Sequence, residues 1–254
     1  MGIEHIIKDI DASEMNVGYS PLIPVGLEYL NFFGGAAPIG RNLAPGKPPA
    51  TVVGAPPVGS MSEGILTTYL TNYVQTAVAH TAKMTIVAVA KPLAEGENFL
   101  VSNYSGTVIN QFLRLRTPSA NAGQGKLQID AASSYRTASG QNIIYGHSGP
   151  VDNDVGAAIS VAQRLDVTPG GGRVTVNGLT KGYQGMTSGS VPADATPNLG
   201  SPLRIGSGYS QFSPNAAPRI LFVGIWSRVL SDEELAAQYR QLKDFYGNIK
   251  GVAV

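Results

Sequence analysis

The 254-residue chain contains no cysteine, and this absence removes several kinds of chemistry at once. Disulfide bridges, thiolate nucleophiles and cysteine-based zinc sites are all excluded. Charged residues are also scarce, at 14% of the chain against about a quarter in an average protein. The formal net charge is +1, so we expect neither nucleic acid nor an anionic membrane as the main partner.

Long apolar runs are missing as well. There is no stretch of about 18 or more apolar residues, so no transmembrane helix is predicted. The first residues lack a basic segment followed by an apolar core, so no secretory signal is expected. Turn-forming residues are abundant instead, with 31 Gly and 17 Pro, and 43% of the chain is hydrophobic. We therefore expect one large domain with many turns and a sizeable core.

Short segments rich in branched and aromatic residues recur along the chain, with turn residues between them. In the segment 109–118, two leucines alternate with Arg114 and Arg116, which gives one apolar face and one basic face. Many short strands with turn chemistry between them predict an all-β sandwich or barrel. The other expected strands are 21–35, 82–92, 97–105, 126–137, 141–148, 155–167, 170–183, 201–209 and 219–230.

Near the end of the chain the pattern changes to that of a helix. Ser231 is a good N-cap, and Glu234 three residues later completes a capping box. We predict a helix over about 232–246 that stops at Gly247 and packs one face against a sheet. The apolar stripe of this helix is formed by Leu235, Tyr239, Leu242 and Tyr246.

A characteristic series of residues runs from the last strand into this helix: Phe222, Gly224, Ile225, Arg228, Leu230, Ser231, Glu234, Leu235 and Tyr239. The series resembles the closing segment of laminin-G-like, concanavalin A-like jelly-roll domains. Segments 170–178 and 203–210 resemble preceding parts of the same family. The resemblance implies two antiparallel sheets of about six or seven strands each, packed face to face, with one short C-terminal helix. We assign the sandwich to residues 21–254 and treat residues 1–20 as a separate N-terminal arm.

The arm has a helical pattern of its own. Its isoleucines at positions 3, 6, 7 and 10 fall on one face of a short helix. Two interpretations stay open: a frayed leader, since short isolated helices are marginal in water, or an element that docks on a partner or a neighbouring subunit.

Paired carboxylates of the kind that glycoside hydrolases need are not found at strand spacing. Glu95 and Glu97 are two residues apart but fall in a glycine-containing turn, so we interpret them as solvated turn charges. Asp130 and Asp166 each stand alone on a predicted strand. The three histidines are scattered and have no metal-ligand spacing. We expect no catalytic residues and predict that the protein is not an enzyme.

Two kinds of binding site are predicted. Asp152, Asn153 and Asp154 cluster oxygen atoms that could bind Ca²⁺, although such turns also occur without an ion. The resemblance implies glycan binding through loop aromatic and amide side chains, and the loop 207–215 has the densest set. The predicted carbohydrate-binding residues are Tyr209, Gln211, Phe212, Asn215 and Tyr183.

The function that we favour is a non-catalytic binding and assembly module. A cysteine-free, lectin-like domain with a short arm resembles modules that phages attach to tails, fibres or capsid surfaces. We therefore expect a virion structural component, made in the host cytoplasm and facing outward, that assembles with neighbouring virion proteins or with itself, most simply as a trimer. The alternatives are a cellular carbohydrate-binding lectin and, with less support, a glycoside hydrolase or lyase with an atypical site.

Overall fold

The structure is a computed structural model that describes residues 20–93, 96–106, 110–117, 127–211 and 217–254. Within these residues the chain forms two antiparallel sheets, and one α-helix follows the last strand. This is a jelly-roll sandwich with a short C-terminal helix, so the predicted fold class is confirmed. The predicted arm lies outside the described residues except for Ser20. In the part of the chain that the structure describes, no helix is long and apolar enough to cross a membrane.

The strands are numbered in chain order. They are β1 (Leu27–Phe32), β2 (Thr51–Val53), β3 (Ile65–Leu66), β4 (Tyr73–Gln75), β5 (Lys83–Lys91), β6 (Gly96–Ser102), β7 (Gln111–Thr117), β8 (Leu127–Arg136), β9 (Asn142–Val151), β10 (Ile159–Asp166), β11 (Arg173–Gly178), β12 (Tyr183–Ser188), β13 (Thr196–Pro197), β14 (Arg204–Ile205) and β15 (Arg219–Trp226). The helix α1 spans Asp232–Lys243 and continues as a π-helical segment, Asp244–Ile249, while a 3₁₀ turn covers Leu179–Lys181.

Strand order brings distant parts of the sequence together. The first sheet has the order β1-β15-β5-β10-β11-β12, with β3 beside β15. The second sheet has the order β13-β8-β7-β6-β14-β4-β2. In it, β9 pairs along the whole of β8, and β13 pairs with the end of β8. Neighbours within a sheet are therefore often far apart in sequence.

The main hydrophobic core lies between the two sheets. It includes the fully buried side chains of Leu113, Leu115, Ile129, Val161, Leu165, Val174 and Val176. On each strand these residues alternate with residues that face away from the core, as expected for a side-chain period of two. The basic face predicted for β7 is therefore the outer face of the second sheet.

A second hydrophobic layer explains why this chain of strands ends in a helix. Helix α1 covers the outer face of the first sheet, where Leu235 and Leu242 join a buried cluster with Val87 and Trp226. The indole Nε1 of Trp226 donates a hydrogen bond to the Ile23 carbonyl at 2.9 Å. Strand β5 is buried on both faces from its second to its eighth residue, because the core covers one face and the helix layer the other.

The start of α1 is as predicted, but its end is not. The Glu234 amide donates to Ser231 Oγ at 3.2 Å, and the Ser231 amide donates to Glu234 Oε2 at 2.9 Å, which forms the capping box. The predicted stop at Gly247 is wrong. Gly247 lies inside the π-helical segment, and the left-handed glycine is Gly251, with φ of 68°. The wider turns keep Tyr246 buried against the sheet, where its hydroxyl donates to the Leu221 carbonyl.

Candidate binding face on the second sheet

The outer face of the second sheet collects side chains from several strands. Ile129 and Ala131 of β8 point into the core, so Asp130 between them points outward. The register places Arg114 of β7 opposite Asp130 and Phe99 of β6 opposite Arg114. We call the outward-facing surface built on β6, β7, β8, β14 and β4 the binding face.

A buried aromatic cluster lies beneath the centre of the binding face, since Tyr69, Phe99 and Phe112 are only 9%, 1% and 7% exposed. The Phe99 ring lies 5.1 Å from the Tyr69 ring and 6.1 Å from the Phe112 ring, measured between centroids. Tyr104 packs against the same cluster, 6.3 Å from Phe99. The Arg114 guanidinium lies 4.6 Å from the Phe112 centroid, a cation–π distance. Tyr69 is buried, and desolvation is the main cause that raises its pKa to about 12, so its hydroxyl stays protonated.

An ion network adjoins the rings. Arg114 Nε lies 3.0 Å from Glu97 Oε2 and 3.2 Å from Asp130 Oδ2, so its guanidinium bridges the two carboxylates. Arg116 Nε lies 3.2 Å from the same Asp130 oxygen, and the Ser148 hydroxyl donates to the other. Two arginines thus balance two carboxylates in a group that is mostly withdrawn from water.

One interpretation made from sequence is wrong here. Glu97 is not a solvated turn charge: it lies in β6 with only 12% of its side chain exposed. Burial raises the pKa of Glu97, while the nearby Arg114 acts in the opposite direction. Asp130 is the one carboxylate of β8, as predicted, and its charged partners Arg114 and Arg116 lie on the neighbouring strand β7, which a pattern within one strand cannot show. Glu95 lies outside the described residues.

The predicted glycan loop is anchored at one side of the binding face. The Arg204 guanidinium of β14 lies 3.5 Å from the Tyr209 ring centroid and 4.6 Å from that of Tyr73. Arg204 Nε donates to Gln75 Oε1 at 2.8 Å, and the Tyr209 hydroxyl donates to the same oxygen at 3.0 Å. The loop is thus fixed to β4 and β14 by stacking and by a shared acceptor.

The structure brings together only part of the predicted carbohydrate site. Tyr209 is half-buried on the binding face, and Gln211 is exposed next to it. Phe212 and Asn215 lie outside the described residues. Tyr183 is elsewhere, on the edge strand β12, where its hydroxyl is 3.3 Å from Nε2 of His147 on β9. In the second sheet, β8, β7 and β6 lie between β9 and β14. Tyr183, which lies beside β9, therefore does not join the same site.

Sequence reasoning missed most of the residues of the binding face. These are Tyr69, Phe99, Tyr104, Phe112, Arg114 and Arg204. The alternating leucines and arginines of β7 were the available signal, because they predict an outward basic face on that strand. The aromatic partners come from other strands and loops, and no spacing along the chain connects them.

The predicted calcium loop follows β9. The Asn153 amide group donates to the Asp154 carbonyl at 3.1 Å and to the Ala157 carbonyl at 3.3 Å, so it stabilises the turn. The side chains of Asp152 and Asp154 are exposed on either side. Within the described segments, no three His, Cys, Asp or Glu side chains are grouped as metal ligands. Calcium binding by Asp152, Asn153 and Asp154 stays a prediction.

Comparison with known proteins shows similarity in fold rather than in sequence. No protein-family model matches the chain, and no curated protein matches it in sequence. The botulinum neurotoxin serotype D binding domain matches 85% of this chain and 52% of its own, with a TM-score of 0.55 and 9% identity. A mutant of Trypanosoma rangeli sialidase displaying trans-sialidase activity matches 83% of this chain and 32% of its own, with a TM-score of 0.54 and 14% identity.

A third similar structure is the enzymatically active domain of bacteriophage CBA120 tailspike protein 2, with a TM-score of 0.45, 16% identity and coverage of 76% of this chain and 29% of its own. The chain spans about half the length of the neurotoxin domain that it matches. Of these three structures, the neurotoxin binding domain and the sialidase mutant have TM-scores above 0.5. These likenesses show the two-sheet sandwich fold alone.

Proposed function

We propose that this chain is a non-catalytic binding and assembly module that binds glycans on the outer face of its second sheet. The observation that carries the proposal is the stack of Arg204 on Tyr209, which fixes a loop rich in hydroxyl and amide groups beside the aromatic cluster. Glycan sites need an accessible ring and directional hydrogen-bonding groups held in place, since preorganisation lowers the entropic cost of binding, and here Tyr209 is partly exposed and Gln211 exposed. A botulinum neurotoxin receptor-binding domain has the same fold, which supports a binding role.

The charged groups of the binding face favour binding over catalysis. A general acid or base has to reach the proton that it transfers. The guanidinium of Arg114 lies between Glu97 and Asp130 and contacts both, and Asp130 is also held by Arg116 and Ser148. Bridged in this way, neither carboxylate is placed to flank a glycosidic bond.

We further propose that the module is a virion structural component of a phage tail, fibre or capsid surface, attached through residues 1–20. The support comes from sequence: an arm with one apolar face precedes a cysteine-free domain of low charge. In that role the sandwich faces outward, and the arm joins copies of the chain, most simply three, or binds neighbouring virion proteins. A cellular lectin with the same sandwich is the alternative.

A glycan array tests the binding proposal directly. The full chain is expected to bind a defined class of sugar, and Tyr209→Ala or Gln211→Ala should abolish or strongly weaken that binding. Gln141→Ala is a matched control, because Gln141 is equally exposed but lies in the turn between β8 and β9. Calcium dependence of glycan binding is tested by repeating the array with a chelator and by comparing that result with the binding of Asp154→Asn. No binding to any glycan, or cleavage of the bound glycan, would contradict the proposal.

Light scattering tests the assembly proposal. The full chain is expected to have the mass of a trimer or a larger assembly, and the chain without residues 1–20 the mass of a monomer. The described sandwich provides its own core, so the truncated chain should keep its fold by circular dichroism. An unchanged mass after truncation would remove the arm from assembly, and a monomeric full chain that binds glycan would favour the cellular lectin.

A further inference from the structure

A separate cavity of about 360 Å³ opens on the outer face of the first sheet, on the side of the sandwich away from the binding face. Its floor is formed by the ends of β5, β10 and β11. One wall is the segment between β15 and α1, with Arg228 and Val229. Neither the glycan proposal nor the assembly proposal uses this cavity.

Strand register concentrates basic side chains on its floor. Lys83, Asp166 and Arg173 lie side by side on β5, β10 and β11. Arg164 lies in the next outward-facing row, between Thr85 and Thr175. The residues that alternate with these rows belong to the sandwich core, as Met84, Leu165 and Val174 are fully buried there.

The charges on the floor are not balanced. Lys83 Nζ lies 3.1 Å from Asp166 Oδ2, which neutralises that pair. Arg173 is exposed and forms no ion pair within the described part of the chain. Arg228 also lines the cavity, but its guanidinium binds Glu234 through both terminal nitrogens and adds no free charge.

Arg164 provides a second, independent observation. Only 8% of its side chain is exposed, whereas its ion-pair partner Asp232 is 79% exposed. Arg164 Nη1 donates to Asp232 Oδ1 and to the Leu230 carbonyl, but the buried Nε finds no acceptor among the described residues. Leaving a buried charged donor unpaired is costly, so an acceptor entering the cavity would be stabilised there.

We infer that this cavity is a binding site for a single oxyanion group, a carboxylate or a sulfate, carried by a small molecule or an acidic sugar. Arg164 and Arg173 provide the donors, and Arg173 supplies the uncompensated positive charge, because Lys83 is neutralised by Asp166. Guanidinium groups suit such ligands because their planar donors match the spacing of oxyanion oxygens. Val229, which is partly exposed at the wall, offers apolar contact to the carrier.

The test is an NMR titration of the full chain at constant ionic strength. The probes are sulfate, acetate, glucuronate and the neutral methyl glucoside, and the signals are those of the arginine Nε–Hε groups. The Arg164 signal is assigned as the one that disappears from the spectrum of Arg164→Lys. The expected result is saturable binding of the anions together with a shift of this signal. Tighter binding of glucuronate than of acetate and sulfate would identify the carrier as a sugar, and equal binding would identify the oxyanion alone as the ligand.

Two variants distinguish anion binding in this cavity from general electrostatic attraction to the protein surface. Arg173→Gln should weaken anion binding about tenfold, or about 1.4 kcal/mol, and should not disturb folding because Arg173 is exposed. Arg136→Gln removes the same charge from an exposed position on β8 and should leave the affinity unchanged. The inference is overturned if no anion binds saturably, if both variants weaken binding equally, or if methyl glucoside binds as well as glucuronate. The glycan array with Tyr209→Ala reports on the other face of the sandwich and can fail separately.

Discussion

The guanidinium of Arg204 lies 3.5 Å from the centroid of the Tyr209 ring, and this contact joins β14 to the loop that follows it. Arg204 Nη1 also donates to the Gly208 carbonyl at 2.7 Å, and the single proton of the Tyr209 hydroxyl is shared between the Pro202 carbonyl at 2.6 Å and Gln75 Oε1 at 3.0 Å. A loop held at three points presents its outer residues in one arrangement. Glycan recognition by Gln211 should therefore depend on a residue, Arg204, that need not contact sugar.

The first prediction concerns this anchor. Arg204→Met keeps an unbranched apolar side chain but removes the guanidinium, so the stacking and the hydrogen bonds to Gln75 and Gly208 are lost. We expect a loss of about 1–3 kcal/mol in the free energy of unfolding and weaker glycan binding on the array. Arg240→Met on the exposed side of α1 is the control. Glycan binding unchanged in Arg204→Met would show that the loop does not need its anchor.

The second prediction concerns the buried ion network. Asp130→Asn leaves Arg114 and Arg116 without their shared carboxylate in a position where only 6% of the aspartate side chain is exposed. Removing one partner of a buried ion pair costs about 3–5 kcal/mol, and chemical denaturation should show a loss in this range. Asp194→Asn is the same chemical change at an exposed position, where about 0.5 kcal/mol or less is expected. Equal losses would mean that the network on the binding face is solvated.

The third prediction concerns the helix cap. Ser231→Ala removes the acceptor of the Glu234 amide and should lower the free energy of unfolding by about 1 kcal/mol. Ser190→Ala, at an exposed position outside any strand, should change it by much less. Because α1 covers the first sheet, near-ultraviolet circular dichroism of Trp226 reports whether the helix layer loosens. A cap variant as stable as the control would mean that packing alone holds the helix.

The parts of this fold that could be predicted from sequence are those set by neighbours along the chain. The capping box of Ser231 and Glu234 needs only four consecutive residues, and the alternation of β7 needs only its own side chains. The position of Glu97 beside Arg114 depends on how β6 pairs with β7, and that register follows from the packing of the whole sandwich. The end of α1 was misplaced because the chain continues beyond Lys243 in wider turns, which contain Gly247 and keep Tyr246 fully buried.

The same limit applies to the candidate site. Tyr209 could be proposed from the density of polar and aromatic residues in its loop. Arg204 could not be identified as its support, because an arginine on a two-residue strand has no distinguishing pattern. Tyr183 was placed in the same prediction as an aromatic residue near a turn, and its position on β12 follows from strand order, which nearness to a turn does not contain.

A polar group inside the main core makes the stability depend on pH. His80 is 2% exposed, and its Nε2 lies 3.5 Å from Ser133 Oγ. Nearby, the Gln111 amide donates to Gln163 Oε1 across the two sheets at 3.4 Å. No acidic side chain is bonded to His80 in the described residues, so nothing stabilises its cation. Burial lowers the pKa of His80 to about 4, from an ordinary value of 6.5.

The fourth prediction follows from this shift. Between the two pKa values the unfolded chain binds a proton that the folded chain does not, so stability is highest above about pH 6.5 and falls as the pH decreases toward 4. The contribution of His80 should decrease by about 2 kcal/mol between pH 7 and pH 5, measured by urea denaturation. His80→Gln keeps a polar, uncharged side chain and should remove this part of the pH dependence. His147→Gln, at the partly exposed edge beside Tyr183, should retain it. If the slope of His80→Gln matched that of the unsubstituted chain, His80 would have to be reached by water or paired in the folded state, and the pH dependence would belong to the carboxylates instead.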